Sequence, residues 1–213
     1  MRTISLRGVQ PDVFVGEKLQ SQLWLADVSF SKGRACCVRA ASGTGKTSLC
    51  SFIMGVRSDY RGIILFDDAD IRRLSADGWS TQRRSHLAYL PQELELFDGL
   101  TALDNVLLKN RLTDFKTESE IRAMFRLLEI DNRINQPAGR LSVGQKQRVA
   151  FIRALCQPFD FILLDEPVSH LDSRNNALCA DLLTAEARAQ GAGIIATSVG
   201  NPLAIAYDQI LEL

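Results

Sequence analysis

The stretch that decides the fold is Ala40-Ala41-Ser42-Gly43-Thr44-Gly45-Lys46-Thr47. An apolar run at residues 35–38 precedes it and apolar residues at helical spacing follow it, so the sequence predicts a strand, a tight loop and a helix. This context suits the phosphate-binding pattern G-x-x-x-x-G-K-(S/T). Its glycines let backbone N–H groups turn toward an anion, and the helix N-terminus adds its positive dipole.

The side chains of this loop predict a nucleotide phosphate site with a magnesium ion. Lys46 is expected to neutralise β- and γ-phosphate oxygens, and the Thr47 hydroxyl to ligate Mg²⁺. Ala40 stands where the pattern has its first glycine, which is tolerable only if the residue keeps φ negative. Taken alone, the stretch also fits an ordinary glycine turn before a helix. The candidate nucleotide-binding residues are Ser42, Gly43, Thr44, Gly45, Lys46, Thr47 and Ser48.

Length and composition indicate one compact globular domain. The chain has 213 residues, 46% of them hydrophobic, and 25 basic residues balance 25 acidic ones, so no global field favours nucleic acid or an anionic membrane. It has no apolar export segment near its start and no run of roughly 18 apolar residues, so we expect it in the cytoplasm. Five cysteines lack metal-ligand spacing and are expected to be buried hydrophobes: Cys36, Cys37, Cys50, Cys156 and Cys179.

Apolar periodicity predicts an α/β chain. Short extended segments indicate an early antiparallel sheet at residues 3–6, 12–15 and 23–30. Later strands are predicted at residues 62–66, 86–90, 159–164, 193–197 and 210–213. Helical spacing predicts an inserted helical lobe at 101–129, a helix at 142–156 and a helix at 174–189.

Two adjacent carboxylates end the apolar strand before residue 165. Open α/β sheets bind ligands at the carboxyl ends of their strands, so Asp165 and Glu166 are candidates for the rest of a nucleotide site. Asp165 is expected to hold Mg²⁺, mostly through water, and Glu166 to polarise a water for in-line attack on the γ-phosphate. The alternative is a strand that simply ends in solvated acids.

Between these motifs lies Leu141-Ser142-Val143-Gly144-Gln145, at the start of a predicted helix. With the phosphate loop before it and the two acids after it, the chain resembles an ATP-binding cassette (ABC) ATPase, whose signature reads LSGGQ. The resemblance covers nearly the whole chain. It implies an α/β P-loop NTPase fold with a mainly parallel sheet, an N-terminal antiparallel β subdomain and an α-helical subdomain inserted at about residues 93–158. The whole of residues 1–213 is then one nucleotide-binding domain.

The resemblance also implies ATP and Mg²⁺ as cofactors and a second cassette as partner. In the family, the signature residues bind the γ-phosphate held by the phosphate loop of a facing cassette, so each chain carries two half-sites. On this chain those residues are Ser142, Gly144 and Gln145. Val143 replaces the middle glycine. An ordinary capped helix is the alternative for this stretch taken alone.

Further positions match the family one by one. Gln92 resembles the Q-loop glutamine that touches Mg²⁺ or the attacking water, although alone it fits a surface glutamine after a proline. Leu94, Leu96 and Phe97 are expected to line part of a groove that receives a permease helix in transporters, or else to pack within the helical lobe.

Two aromatic residues compete for the adenine base. The family stacks an aromatic of the early sheet on adenine, and Phe14 is the candidate here, with Trp24 as its rival. Both also fit the core of a sheet, which is the commoner place for aromatics in strands.

Two further residues, besides Ala40 and Val143, depart from the family pattern. The family D-loop usually reads SALD, whereas this chain has Ser169-His170-Leu171-Asp172, and we expect His170 to be a surface histidine without a catalytic role. Ser198 stands where the family has the histidine of T-H-(D/E), which contacts the γ-phosphate. Serine can donate one hydrogen bond but lacks the reach and charge of imidazole, so we expect ATP binding to survive better than hydrolysis.

These features favour the ATP-binding subunit of an ABC transporter, which hydrolyses ATP at a head-to-tail cassette dimer to drive a membrane permease from the inner face of the membrane. Its length and short helical lobe resemble the cassettes of lipoprotein release, macrolide-type export and cell division. The alternatives are a soluble ABC ATPase switch and a regulatory cassette with weak hydrolysis. No nucleic acid partner and no direct membrane insertion are expected.

Overall fold

The computed structural model describes residues 1–41 and 43–213, so the candidate Ser42 lies outside the described residues. Strand β1 (Thr3–Pro11) pairs antiparallel with both β2 (Asp27–Ser31) and β4 (Tyr60–Phe66), and β4 pairs with the short β5 (Ala69–Asp70). The sequence predicts an antiparallel sheet here from segments that include β1 and β2, whereas it predicts β4 as a later strand and does not predict β5.

A parallel sheet of five strands carries the nucleotide motifs. Its order is β6 (Leu87–Leu90), β7 (Phe161–Asp165), β8 (Gly193–Ser198), β3 (Ala35–Arg39) and β9 (Gln209–Glu212). All of its pairings are parallel, so the carboxyl ends of β3, β7 and β8 meet at one edge. Strands β7 and β8 are buried along their whole length, which explains their continuous apolar sequences.

Six helices complete the described fold: α1 (Lys46–Ile53), α2 (Ala76–Ser85), α3 (Ala102–Asn110), α4 (Glu118–Leu127), α5 (Val143–Leu155) and α6 (Ser173–Gln190). Helix α5 contacts α3, α4, α6 and β6. This packing buries Val106, Ile121, Phe125 and Phe151 to 0–1% exposure and forms one hydrophobic core. A second core lies between the antiparallel sheet, α1 and the parallel sheet. No helix in the described part of the chain is long and apolar enough to cross a bilayer.

Several predicted elements differ from those observed. Residues 12–15 are not a strand, because Pro11 ends β1 and Asp12–Phe14 form a single 3₁₀ turn. The strand predicted at 23–30 is confined to β2. The helical lobe predicted at 101–129 is present, as α3 and α4. All five cysteines are free and buried as predicted, and burial raises the pKa of Cys156 and Cys179 to about 12.

Candidate functional site

The phosphate loop has the backbone that an anion site needs. Gly43 and Gly45 have φ values of 84° and 97°, in the left-handed region that favours glycine. A Cβ at Gly45 would lie 3.1 Å from Phe14 Cε2 and 3.2 Å from Trp24 Cζ2, so a side chain there would be crowded as well as strained. Among residues 1–41 and 43–213, no side chain caps the start of α1, which leaves its first N–H groups available to a ligand. Ala40 is not among the residues with positive φ, as its substitution for glycine requires.

The Lys46 side chain lies between the phosphate loop and the carboxylate of Glu166. Its side chain is only 5% exposed, and its Nζ donates to Ala41 O at 2.8 Å and lies 3.6 Å from Glu166 Oε1. A buried ammonium needs strong acceptors around it. Glu166 and carbonyl oxygens of the loop surround the Lys46 ammonium here. The ammonium is therefore already positioned to contact phosphate oxygens that bind in the loop.

The end of β7 carries a buried acid with a vacant lone pair. Asp165 is 1% exposed, and its Oδ1 accepts a hydrogen bond from Thr197 Oγ1 at 2.7 Å. Its Oδ2 is buried and has no hydrogen-bond partner within residues 1–41 and 43–213. Burial and the Asp165 charge both raise the pKa of the nearby Cys50 thiol, which therefore stays neutral. An unpaired buried carboxylate oxygen is costly, and a hydrated cation would satisfy it, so this end of the sheet fits Mg²⁺.

Thr197 is a functional residue that the sequence analysis passed over. Besides donating to Asp165, its Oγ1 accepts a hydrogen bond from the Glu166 backbone N–H at 3.1 Å. Glu166 itself has a φ of 50°, which non-glycine residues adopt rarely and mainly at functional sites. One hydroxyl therefore positions both acids. The available signal was the position of Thr197 at the carboxyl end of a strand, beside Ser198.

One cavity of about 440 Å³ collects most of the predicted residues: Phe14, Gly43, Gly45, Lys46, Thr47, Ser48, Gln92 and Glu166. Arg57 also lines this cavity and was not predicted. Its Nη1 donates to Ser48 Oγ at 3.0 Å, so the Ser48 hydroxyl already has a protein partner. The exposed Thr47 and Gln92 side chains are accessible to a metal ion.

The aromatic candidates have different surroundings. Trp24 is 3% exposed and its Nε1 donates to Thr44 O at 3.1 Å, so it supports the loop from the core side. Phe14 is half-buried and borders the cavity. Adenine stacking on Phe14 stays a prediction, and the burial of Trp24 removes its rival.

The signature residues form a separate half-site. Ser142 Oγ accepts from Gln145 N at 3.3 Å, and Gln145 Oε1 accepts from Ser142 N at 3.0 Å, which is a capping box at the start of α5. Val143 is 52% exposed, on the surface beside them. Ser142, Gly144 and Gln145 are absent from the lining of the 440 Å³ cavity. The structure therefore does not bring the signature residues into the cavity that holds Lys46, Gln92 and Glu166.

Ser198 lies against the phosphate loop. Its backbone O accepts a hydrogen bond from Ala40 N at 3.2 Å, and it pairs with Arg39 across β3 and β8. The residue is 4% exposed, and its Oγ has no partner among the described residues. The Ser198 hydroxyl is thus a buried polar group beside the phosphate loop without a partner among the described residues.

A second, larger cavity of about 640 Å³ lies next to the Q-loop. Leu96 and Phe97 line it as predicted, whereas Leu94 packs against the helical core and does not. Arg153 of α5 donates to the backbone oxygens of Leu94 and Glu95 at the edge of this groove.

Comparison with known proteins identifies the family to which this chain is similar. The ABC transporter family model matches residues 25–169. The ABC transporter ATP-binding protein YtrE of Bacillus subtilis is 31% identical over 172 residues, 78% of this chain and 74% of YtrE. The macrolide export ATP-binding/permease protein MacB 1 of Aeromonas hydrophila is 29% identical over 99% of this chain, which spans only 33% of MacB 1.

A solved structure has the same fold. The dimeric structure of the bacterial ABC transporter cassette MJ0796 is 25% identical, with a TM-score of 0.78, and the match covers 92% of this chain and 87% of that one. The same cassette is also known as a dimer in a post-hydrolysis state bound to ADP and Pi. The chain therefore belongs to the ABC transporter family, among its ATP-binding cassettes.

Proposed function

We propose that this chain is the nucleotide-binding subunit of an ABC transporter, which binds Mg·ATP between two head-to-tail cassettes and hydrolyses it to drive a membrane permease. The observation that carries the proposal is the convergence of Lys46, Gln92 and Glu166 on one cavity while the signature residues lie outside it. One chain then holds both halves of a site but needs a second cassette to join them.

The residues around the cavity divide the chemistry among them. The loop amides and Lys46 bind the phosphates, and the signature of the facing cassette contacts the γ-phosphate. Thr47, Gln92 and, through water, Asp165 would hold Mg²⁺, which neutralises charge on the β- and γ-oxygens. Glu166 orients a water whose oxygen bonds to the γ-phosphorus as the bond to the β–γ bridging oxygen breaks. ADP and phosphate leave, and the proton of the water passes to Glu166 or to the phosphate.

The 640 Å³ groove supports a permease partner. Its apolar residues Phe97, Leu108 and Leu112 are 60%, 41% and 56% exposed, which is a large apolar surface for a helical lobe. Lys109 lines the same groove, where burial together with the Arg153 charge lowers its pKa. MacB 1 carries its permease in one polypeptide with its ATP-binding part, as its name states. We place the permease helix in this groove, which puts the cassette at the inner face of the membrane.

A second candidate function rests on Ser198. Losing one preorganised donor to the γ-phosphate costs on the order of 10²–10³-fold in rate. A site left with the Ser198 hydroxyl alone would bind ATP and dimerise but turn over slowly, as a regulatory cassette does.

The experiment that tests the proposed function uses Glu166→Gln. This variant should lose turnover and keep ATP-dependent dimerisation, which size-exclusion chromatography with light scattering measures. The matched control is Glu129→Gln, an exposed acid away from the cavity, which should hydrolyse and dissociate like the wild type. If Glu166→Gln stays monomeric with Mg·ATP, the head-to-tail site is wrong. Co-purification with a membrane protein from detergent-solubilised membranes separates the transporter from a soluble switch.

A further inference from the structure

The D-loop, residues 169–172, lies directly against the start of the signature helix α5. Gln147 of α5 is 1% exposed; its Oε1 accepts a hydrogen bond from His170 N at 3.2 Å and its Nε2 donates to Pro167 O at 2.7 Å. A Cβ on Gly144 would lie 3.2 Å from His170 O. Backbone contact therefore places His170 beside the same helix N-terminus that faces the partner cassette.

The imidazole of His170 has one nitrogen available. The residue is exposed, and its only side-chain hydrogen bond among the described residues joins Nδ1 to Ser169 Oγ at 3.0 Å. When the Ser169 hydroxyl donates to Nδ1, the ring proton resides on Nε2, which is then a hydrogen-bond donor. The other histidine of the chain, His86, is engaged with Asp160 at 2.6 Å.

The phosphate-loop side of the nucleotide site lacks an imidazole, because Ser198 stands where the family has a histidine. Ser198 offers a buried, unpartnered Oγ beside the phosphate loop, where a hydroxyl reaches less far than an imidazole. Each chain thus has the Ser198 hydroxyl beside its phosphate loop and the His170 imidazole beside its signature helix. A head-to-tail dimer brings these two sides together across one ATP.

We propose that His170 acts in trans: in a dimer of two copies of this chain, its Nε2–H donates a hydrogen bond to the γ-phosphate of the ATP held by the phosphate loop of the other copy, in place of the imidazole that Ser198 lacks. This inference rests on the proposed function. The contribution is one hydrogen bond that strengthens as negative charge develops; no proton or covalent bond passes through His170.

Mixed dimers test the trans arrangement directly. Each dimer has one live site, because one copy carries Glu166→Gln. In the first dimer, the copy with an intact Glu166 carries His170→Ala, so the live site still faces the His170 of the Glu166→Gln copy. In the second dimer, one copy carries both Glu166→Gln and His170→Ala, so the live site faces an alanine. We expect the second dimer to turn over roughly 10²-fold more slowly at saturating ATP. Equal rates, or the opposite order, would overturn the inference.

Rescue by Ser198→His separates a lost contact from a damaged loop. In the His170→Ala homodimer, this second change should restore most of the turnover, a far larger gain than the same change gives in the wild type. His86→Ala is the control for removing an imidazole elsewhere and should leave turnover per dimer unchanged. A wild type that Ser198→His accelerates 10²-fold contradicts the inference and supports the regulatory cassette. Failure of Glu166→Gln to dimerise with ATP would instead reject the proposed function, and this inference with it.

Discussion

Thr197→Val removes the hydroxyl that positions both acids while conserving the volume of the side chain. In the wild type, Thr197 Oγ1 donates to Asp165 Oδ1 at 2.7 Å and accepts from Glu166 N at 3.1 Å. Thr197 and Asp165 are each 1% exposed, so water does not readily replace the lost partners. The variant leaves the carboxylate without its protein hydrogen bond and the Glu166 amide without its partner.

The expected loss of stability follows from these two contacts. A hydrogen bond to a charged group contributes about 1.5–3 kcal/mol, and an unsatisfied buried donor costs about 1–3 kcal/mol. The methyl gained in place of the hydroxyl offsets part of this sum. We therefore expect the free energy of unfolding to fall by about 2–4 kcal/mol, or Tm by roughly 4–16 °C for a chain of this size.

Urea unfolding without nucleotide measures this change. Thr197→Ser is the matched control, because it keeps the hydroxyl and loses only a methyl, at a cost of about 1 kcal/mol. Turnover of Thr197→Val should also fall, since Glu166 is no longer held at its positive φ. A Thr197→Val protein within about 0.5 kcal/mol of the wild type, which is the range of an ordinary surface substitution, would refute the reasoning.

Three further predictions concern other parts of the site and the fold. Lys46→Ala should weaken Mg·ATP binding by about 10–100-fold in isothermal titration, the effect of losing one charge-assisted contact; unchanged affinity would mean that the phosphate loop is wrongly assigned. Ser142→Ala should cost about 1 kcal/mol of stability through the lost N-cap and also weaken ATP-dependent dimerisation, whereas a change in stability alone would argue against a role in the facing site. Burial acts to raise the pKa of Asp160, but hydrogen bonds from Lys32, the Met1 ammonium and His86 outweigh it and lower the pKa to about 2. The stability that Asp160 contributes is therefore present above about pH 4 and lost as pH falls toward 2, and Asp160→Asn should flatten the urea midpoint over that window.

The amino-acid sequence alone determined the chemistry of those motifs whose residues are contiguous. The phosphate loop, the Asp165-Glu166 pair and the capped start of α5 are each local, because a tight turn, a strand end and a helix cap depend on neighbouring residues. The sequence also identified the deviation at Ser198. Its errors arose where local preference competes with a turn, as at residues 12–15, where Pro11 ends the strand and a 3₁₀ turn carries Phe14 to the edge of the cavity.

Tertiary structure decided which of these motifs share a site and which distant residues support them. Thr197 reaches Asp165 and Glu166 because β7 and β8 are neighbours, an order set by how crossover connections return to the sheet rather than by any local pattern. Gln147 likewise links segments that are distant in the sequence, because its side chain forms hydrogen bonds from the signature helix to the segment that contains the D-loop. Contacts between residues 20 or more positions apart carry no periodic signal in one sequence. The three-dimensional arrangement was therefore needed to show that one hydroxyl contacts both acids, and that His170 lies against the start of α5.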